Sequence, residues 1–241
     1  MSAAPTVEVC FSPRLYDHKL TKGAFTMVVV DILRATTSIC AAFDHGVKEI
    51  IPVSGLDEAK SMKSEGYFVA CERNGQVMDF ADIGNSASDF LRDDLIGRKV
   101  VFSTTNGTKT INLARDAQEV LIGSFVNLQS LADYLLSKSE NVVIFCAAWK
   151  NLFNLEDSVF AGALAEILLK GGFSTECDSA LGAVDLWHRA QKDLKKYLSK
   201  SSHRNRLKHL VSEEDFTYTV TLNSTNVIPV LKGDRLELLN I

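Results

Sequence analysis

The chain has 241 residues, 46% of them hydrophobic and 23% charged, which suits one large globular domain or two small ones. Its formal charge of −4 argues against a nucleic-acid partner, and the basic tract Lys192–Lys208, interleaved with Ser, Leu and Tyr, reads as a solvated helix or loop. No apolar run approaches the roughly 18 residues that span a bilayer, "MSAAPTVEVC" lacks the regions of a signal peptide, and five scattered cysteines without CxxC spacing fit reduced thiols in a cytoplasm.

In chain order, Thr26–Val30 is a β-branched run that leads through Asp31 into a helix reaching about Phe43. Glu49–Val53 leads through Ser54, a candidate N-cap, into a helix near Leu56 to Lys63. Tyr67–Ala70 ends at Cys71-Glu72-Arg73, and Arg98–Phe102 ends at Ser103-Thr104-Thr105-Asn106-Gly107-Thr108. Asn-Gly between apolar runs is a hairpin signal. The apolar residues that follow, however, fall at Ile111 and Ala114 and at Leu113 and Ala117, steps of three and four that predict a helix. Val120–Ile122 precedes a helix from about Leu128 to Lys138, and Val142–Phe145 precedes one from Asp157 to Lys170. Beyond Gly171-Gly172 the pattern loosens into a helix from about Asp178 to Tyr197, a basic linker, and a β-rich piece including Tyr218-Thr219-Val220. Strands alternating with helices predict a layered α/β/α fold with a largely parallel or mixed sheet. We read residues 1–241 as a single domain whose part from about residue 174 supplies cover and an edge strand.

Ligands of open parallel sheets bind at the carboxyl ends of the strands. That edge gathers Asp31 and Arg34, Glu72 and Arg73, the Ser103–Thr108 turn, and Glu156 and Asp157. A polar turn that opens a helix offers unpaired amides and a positive dipole end to an anion. Carboxylates among arginines with few histidines favour Mg²⁺, and Arg34 and Arg73 suit bidentate recognition of an oxyanion. Taken singly, each feature has a plainer reading. Asp31 serves as an N-cap, Glu72-Arg73 as a surface ion pair, Glu156-Asp157 as a complement to a helix dipole, Asn85 as a turn residue before a helix capped by Ser86, and Trp149 as core. His18, His45, His188, His203 and His209 share no metal spacing and are assigned nothing. The conjunction at one edge favours a site for a phosphorylated small molecule.

"VVVDILRATTSI", "CERNG", "DIGNS", "STTNGT", "GSFVN" and "CAA…FNLEDSVFAGA" resemble, in that order, the 2-phosphosulfolactate phosphatase family, also called ComB. The resemblance covers about residues 7 to 185 and continues weakly to "VIPVL" near Pro229. It implies an α/β fold peculiar to the family and a Mg²⁺-dependent phosphatase that releases phosphate from 2-phospho-3-sulfolactate on the way to coenzyme M. Carried onto these motifs, Asp31, Arg34, Glu72 and Arg73 become catalytic positions. Asp31, Glu72, Glu156 and Asp157 become metal ligands. Thr36, Thr37, Asn85 and Ser86 join Ser103, Thr104, Thr105, Asn106, Gly107 and Thr108 as substrate-binding positions. Cys71, Ser103 and Ala148 depart from the common pattern without removing a carboxylate, an arginine or the polar turn. Two mechanisms stay open, a metal-activated water and an aspartyl-phosphate on Asp31. The expected partner is a small phosphorylated, sulfonated acid, not nucleic acid or membrane, with self-association left open. The competing reading is a module that binds such a metabolite without turnover.

Overall fold

The computed structural model describes residues 4–240. In chain order these form β1 (Val7–Cys10), β2 (Thr26–Val30), α1 (Ala35–Asp44), β3 (Glu49–Pro52), α2 (Leu56–Ser64), β4 (Phe68–Arg73), β5 (Gln76–Val77), β6 (Lys99–Ser103), α3 (Gly107–Leu113), β7 (Glu119–Gly123), α4 (Leu128–Lys138), β8 (Val142–Cys146) and α5 (Leu155–Lys170). They continue with α6 (Asp178–Ala190), α7 (Leu194–Leu198), α8 (Ser202–Arg206), α9 (Glu213–Thr219), β9 (Pro229–Lys232) and β10 (Arg235–Leu238). The ten strands make one mixed sheet in the order β1-β8-β2-β7-β9-β10-β3-β6-β4-β5.

Two parallel groups can be separated in this order, β1-β8-β2-β7 and β3-β6-β4. Between them lies the β9–β10 hairpin, antiparallel to both neighbours and joined to each by a single residue pair, Leu121 with Val230 and Leu236 with Ile50. The C-terminal piece therefore splices the sheet at its middle and is not the edge strand expected from sequence. Val230 and Leu236 are buried there, which fixes the hairpin's inward face.

The sheet wraps its inner face around α1. Met27 and Val29 of β2, Val100 and Phe102 of β6, Ile50 of β3 and Leu236 of β10 share one apolar cluster with Ile39, Cys40 and Phe43 of α1. Residues Ala35 through Phe43 are all buried, so α1 has no solvent face and its sequence shows no polar stripe. On the outer face of the first group, Val28, Leu121 and Ile144 pack on Leu131 of α4, Phe160 of α5 and Ala183 of α6. On the outer face of the second, Val69 and Val101 meet Ala59 and Leu56 of α2.

Three local expectations are corrected. Tyr218-Thr219-Val220 is the end of α9 and its cap, not a strand: Ser212 accepts a hydrogen bond from Asp215 N and starts a helix that overrides the β-branched residues. The helix expected from Asp178 to Tyr197 breaks after Ala190, where Asp193 caps α7 by accepting from Lys196 N. Gly55, not Ser54, holds the N-cap of α2; the Ser54 hydroxyl accepts from Asn112 Nδ2 at 2.7 Å. Asn106-Gly107 opens α3, so the helical reading of that turn holds over the hairpin.

Candidate active site

The chain leaves β2 through Asp31-Ile32-Leu33-Arg34, and hydrogen bonds pin that turn at Asp31, Ile32 and Arg34. Asp31 N donates to Thr36 Oγ1 at 3.0 Å, Thr36 N to Asp31 O at 2.9 Å, and Thr37 Oγ1 to Ile32 O at 2.9 Å. Thr36 and Thr37 are thus spent on the backbone and do not line the pocket. Asp157, fully buried, accepts from Ile32 N at 2.9 Å and from Ala148 N at 3.2 Å, which ties the turn after β2 to the turn after β8. Glu72 does the same on the other side. Its carboxylate accepts from Thr105 N at 2.7 Å, Gly75 N at 2.6 Å and Thr105 Oγ1 at 3.2 Å, fastening the polar turn to the end of β4. Two of the four expected metal ligands are therefore engaged by amides.

Of the other two, Asp31 takes one amide, that of Ala35, and Glu156 takes none. Glu156 lies at 0% exposure and neither carboxylate oxygen has a hydrogen-bond donor; His203 Nδ1 approaches Oε1 to 2.6 Å but out of hydrogen-bond alignment. Asp31 is buried beside it, and burial pushes its carboxyl up to about 6, with Glu72 and Glu156 adding to the rise and His203 opposing it. Burial, Asp31 and Glu156 likewise hold Asp157 well above the usual carboxylate range, against the pull of its two amide donors. Buried carboxylates that repel one another, one of them, Glu156, without a donor, call for positive charge. Among the described residues no three His, Cys, Asp or Glu side chains form a ready-made metal cage. Asp31 and Glu156 are instead the kind of carboxylate pair on which Mg²⁺ is held, with water and substrate oxygens completing the shell.

In the polar turn, the hydroxyls face inward. Ser103 Oγ accepts from Arg73 Nη2 at 2.9 Å, Thr104 Oγ1 from Thr108 N at 3.1 Å, and Thr108 Oγ1 donates to Thr104 O at 3.2 Å. Only Thr105 and Asn106 of this stretch reach the pocket. Gly107 serves close approach: a Cβ there would sit 2.5 Å from Ala35 Cβ and 2.9 Å from Asp31 Oδ2.

The arginines part company. Arg34 lines the pocket, its Nη1 donating to Ser86 Oγ at 2.8 Å and its Nη2 to Gly75 O at 3.2 Å. Burial lowers its pKa, against the pull of Glu72 and Asp89. Arg73 turns away to Ser54 O at 3.1 Å, Ser103 Oγ and its neighbour's carbonyl, and does not line the pocket. Asn85 is buried against the pocket with its Oδ1 unpartnered.

The basic tract, expected to be solvated, closes the site. His203, Arg206 and Leu207 line the pocket, and the Arg206 guanidinium lies 3.6 Å from the centre of the Trp149 ring. Trp149 is half-buried and lines the pocket too, so the core reading of this residue gives way. The signal was present in the sequence: His203, Arg206, Leu207 and Leu210 fall at helical spacing, one face of α8 and the turn after it. A net basic character hid it.

Comparison with known proteins now bears on this geometry. A family model described as "2-phosphosulpholactate phosphatase" matches residues 10–234, from the end of β1 through β9. The chain belongs to the 2-phosphosulpholactate phosphatase family. It is 34% identical over 206 residues to a protein of Thermotoga maritima named "Probable 2-phosphosulfolactate phosphatase", covering 86% of this chain and 88% of that one. Like-named proteins of Caldanaerobacter subterraneus (31% over 211 residues, covering 86% and 88%) and Clostridium perfringens (31% over 237, covering 96% and 95%) are similar over comparable lengths. Membership of the 2-phosphosulpholactate phosphatase family makes the chain a phosphoric monoester hydrolase, and it extends to the C-terminal elements where the sequence motifs had faded.

Proposed function

We propose that the chain hydrolyses 2-phospho-3-sulfolactate, or a closely related small phosphorylated acid, to 3-sulfolactate and inorganic phosphate, with Mg²⁺ held at Asp31 and Glu156. The reaction would serve coenzyme M formation in a reducing compartment, the cytoplasm, and five free, buried cysteines support the latter. The observation that carries the metal is Glu156, a fully buried carboxylate without a hydrogen-bond donor, set beside a second carboxyl that burial and its neighbours push up to about 6.

A cation bound there would offset the charge of the phosphoryl oxygens. The remaining work belongs to the chain. Arg34, immobilised by Ser86 and Gly75, presents its guanidinium at the pocket wall without reorganising. Asn85 adds an amide edge, and Trp149 and Leu207 add apolar wall to the pocket. Water attacks phosphorus, the ester P–O bond breaks, and the proton that water releases passes to the departing alkoxide, so that the acid leaves as its alcohol. Water fits better than Asp31 as the nucleophile, since the general acid that aspartyl-phosphate enzymes carry two residues on is replaced by Leu33.

Phosphate release from 2-phospho-3-sulfolactate with and without Mg²⁺ tests the reading. Turnover that requires Mg²⁺ and is lost in Glu156→Gln supports it. Binding of the substrate without release of phosphate would instead make the protein a metabolite-binding module.

A further inference from the structure

Three arginines stand around the site, and they differ in what their donors already hold. Arg34 is committed to Ser86 and Gly75, Arg73 to Ser54, Ser103 and the Glu72 carbonyl. Arg206, among the described residues, makes neither a hydrogen bond nor an ion pair. Its guanidinium carbon lies 3.6 Å over the centre of the Trp149 ring, a cation–π contact that uses none of its N–H donors.

The placement of Arg206 is built, not incidental. Its helix, α8, is capped by Ser201, which accepts from Arg204 N at 3.0 Å. Buried Arg204 anchors the segment from below, donating to Val211 O at 3.1 Å and stacking on Phe216 at 4.6 Å. Trp149 is presented by a tight turn in which Lys150 and Asn151 both take left-handed φ, 53° and 62°, and Trp149 and Leu152 exchange backbone hydrogen bonds.

Two cavities meet at this residue. The inner one, under the carboxylates and Arg34, has a volume of ≈ 30 Å³. The outer one, ≈ 170 Å³, opens between Trp149, Phe153, Asn154 and Ser202, and the two share Trp149, His203 and Arg206. At about 10–15 Å³ per water, the inner void holds roughly two waters. For a phosphorylated three-carbon acid whose phosphate enters it, the outer cavity beyond Arg206 offers room for the rest of the molecule.

We infer that Arg206 is a specificity-determining residue, which takes the second oxyanion of the substrate, carboxylate or sulfonate, at the junction of the two cavities. This rests on the hydrolase reading above. A planar guanidinium with free edges binds such a group bidentately, and simple phosphomonoesters without a second anion gain nothing from it. Arg206 thereby fills the part that sequence reasoning gave to Arg73.

The test compares wild type with Arg206→Gln, Arg206→Lys and, as a control in the same tract, Lys200→Gln. Each is assayed on 2-phospho-3-sulfolactate and on p-nitrophenyl phosphate. The ratio of kcat/KM for the two substrates should fall roughly ten- to hundredfold in Arg206→Gln, mainly through KM, recover only in part with Lys, and stay put in Lys200→Gln. A ratio unchanged in Arg206→Gln, or lost equally in Lys200→Gln, overturns the assignment. Binding gives an independent reading, because Trp149 is one of two tryptophans and carries Arg206 on its face. Titration of its fluorescence with 3-sulfolactate should show affinity weakened roughly tenfold or more in Arg206→Gln. Lactate, which lacks the sulfonate, tells which oxyanion is read: dependence on Arg206 for both acids assigns the carboxylate, for 3-sulfolactate alone the sulfonate. If wild type releases phosphate from neither ester, the hydrolase reading fails, and the titration still decides on Arg206. Equal affinity of wild type and Arg206→Gln for 3-sulfolactate would refute it.

Discussion

Asp31 and Glu156 sit where a carboxylate is least comfortable, and this discomfort is measurable. Burial pushes the Asp31 carboxyl from its ordinary 3.8 up to about 6 in the fold. A raised folded value means that the native state binds the proton more tightly. The stability associated with this group is therefore fully present below about pH 4 and is lost as pH rises through 6. The separation corresponds to about 3 kcal/mol at most. Asp31→Asn should thus abolish turnover yet raise the melting temperature of the metal-free protein by several degrees at pH 8 and by little at pH 4, which thermal melts at the two pH values would show. A variant less stable than wild type at pH 8 would contradict the assignment. Arg73→Lys separates bracing from recognition. Loss of its fork on Ser54, Ser103 and the Glu72 carbonyl should lower stability by about 1–3 kcal/mol in urea melts, and activity on 2-phospho-3-sulfolactate and p-nitrophenyl phosphate should fall in parallel. Sequence was informative about which side chains gather here, because Asp31, Arg34, Glu72, Asn85 and Thr105 follow strand ends or flank them. It was silent on orientation. Whether a carboxylate is left without a donor or takes two amides, as in Glu156 against Asp157, one position apart, depends on the phase of a helix against turns far away in the chain.

At the scale of the element, glycines mark the tightest contacts. The start of α3 touches α1 and Asp31 through Gly107, and α5 crosses α6 at Gly162, where a Cβ would lie 1.9 Å from Ala183 O. Gly107→Val should push α3 off Ala35 and Asp31 and remove most activity, with about 1–3 kcal/mol of stability. Ser103→Ala removes only an acceptor for Arg73 and should have a mild effect. Comparable mild losses of kcat in both variants would show that the close approach is dispensable. The βα units from β2 to α5 were legible because buried strands carry unbroken Val/Ile runs and helices their three- and four-residue steps. Past residue 174 short capped helices defeat periodicity. α7, α8 and α9 each begin at an Asp or Ser cap that accepts from the backbone three residues on, a signal weaker than a period but sufficient to outrank the β propensity of Tyr218 and Val220.

The whole molecule is held together by the β9–β10 hairpin. Two parallel groups of strands meet only through it within the sheet, one residue pair at each seam. Removing residues 229–240 should therefore do more than trim an edge. The truncated chain should lose cooperative unfolding by circular dichroism, while an edge strand's removal would leave a sharp transition. No local pattern announces that "PVLK" and "RLEL" belong between β7 and β3, since their partners lie more than a hundred residues upstream. Such pairings are set by the mutual fit of inner faces around α1, not by any window of sequence.

The position of that hairpin in the chain also sets a timetable. It follows every other described element, so on the ribosome, adding roughly 5–20 residues per second, Asp31, Arg34, Glu72, Glu156 and Arg206 are all made before the strands that join their two scaffolds. The nascent chain carries the full chemical inventory of the site with an open seam beside α1, Val230 and Leu236 still missing from their places. Competence should therefore arrive late, once the hairpin docks and joins the two groups. A chain arrested before residue 229 should accordingly show no phosphatase activity while still tethered, and release of the full length should switch it on within the time the hairpin takes to close.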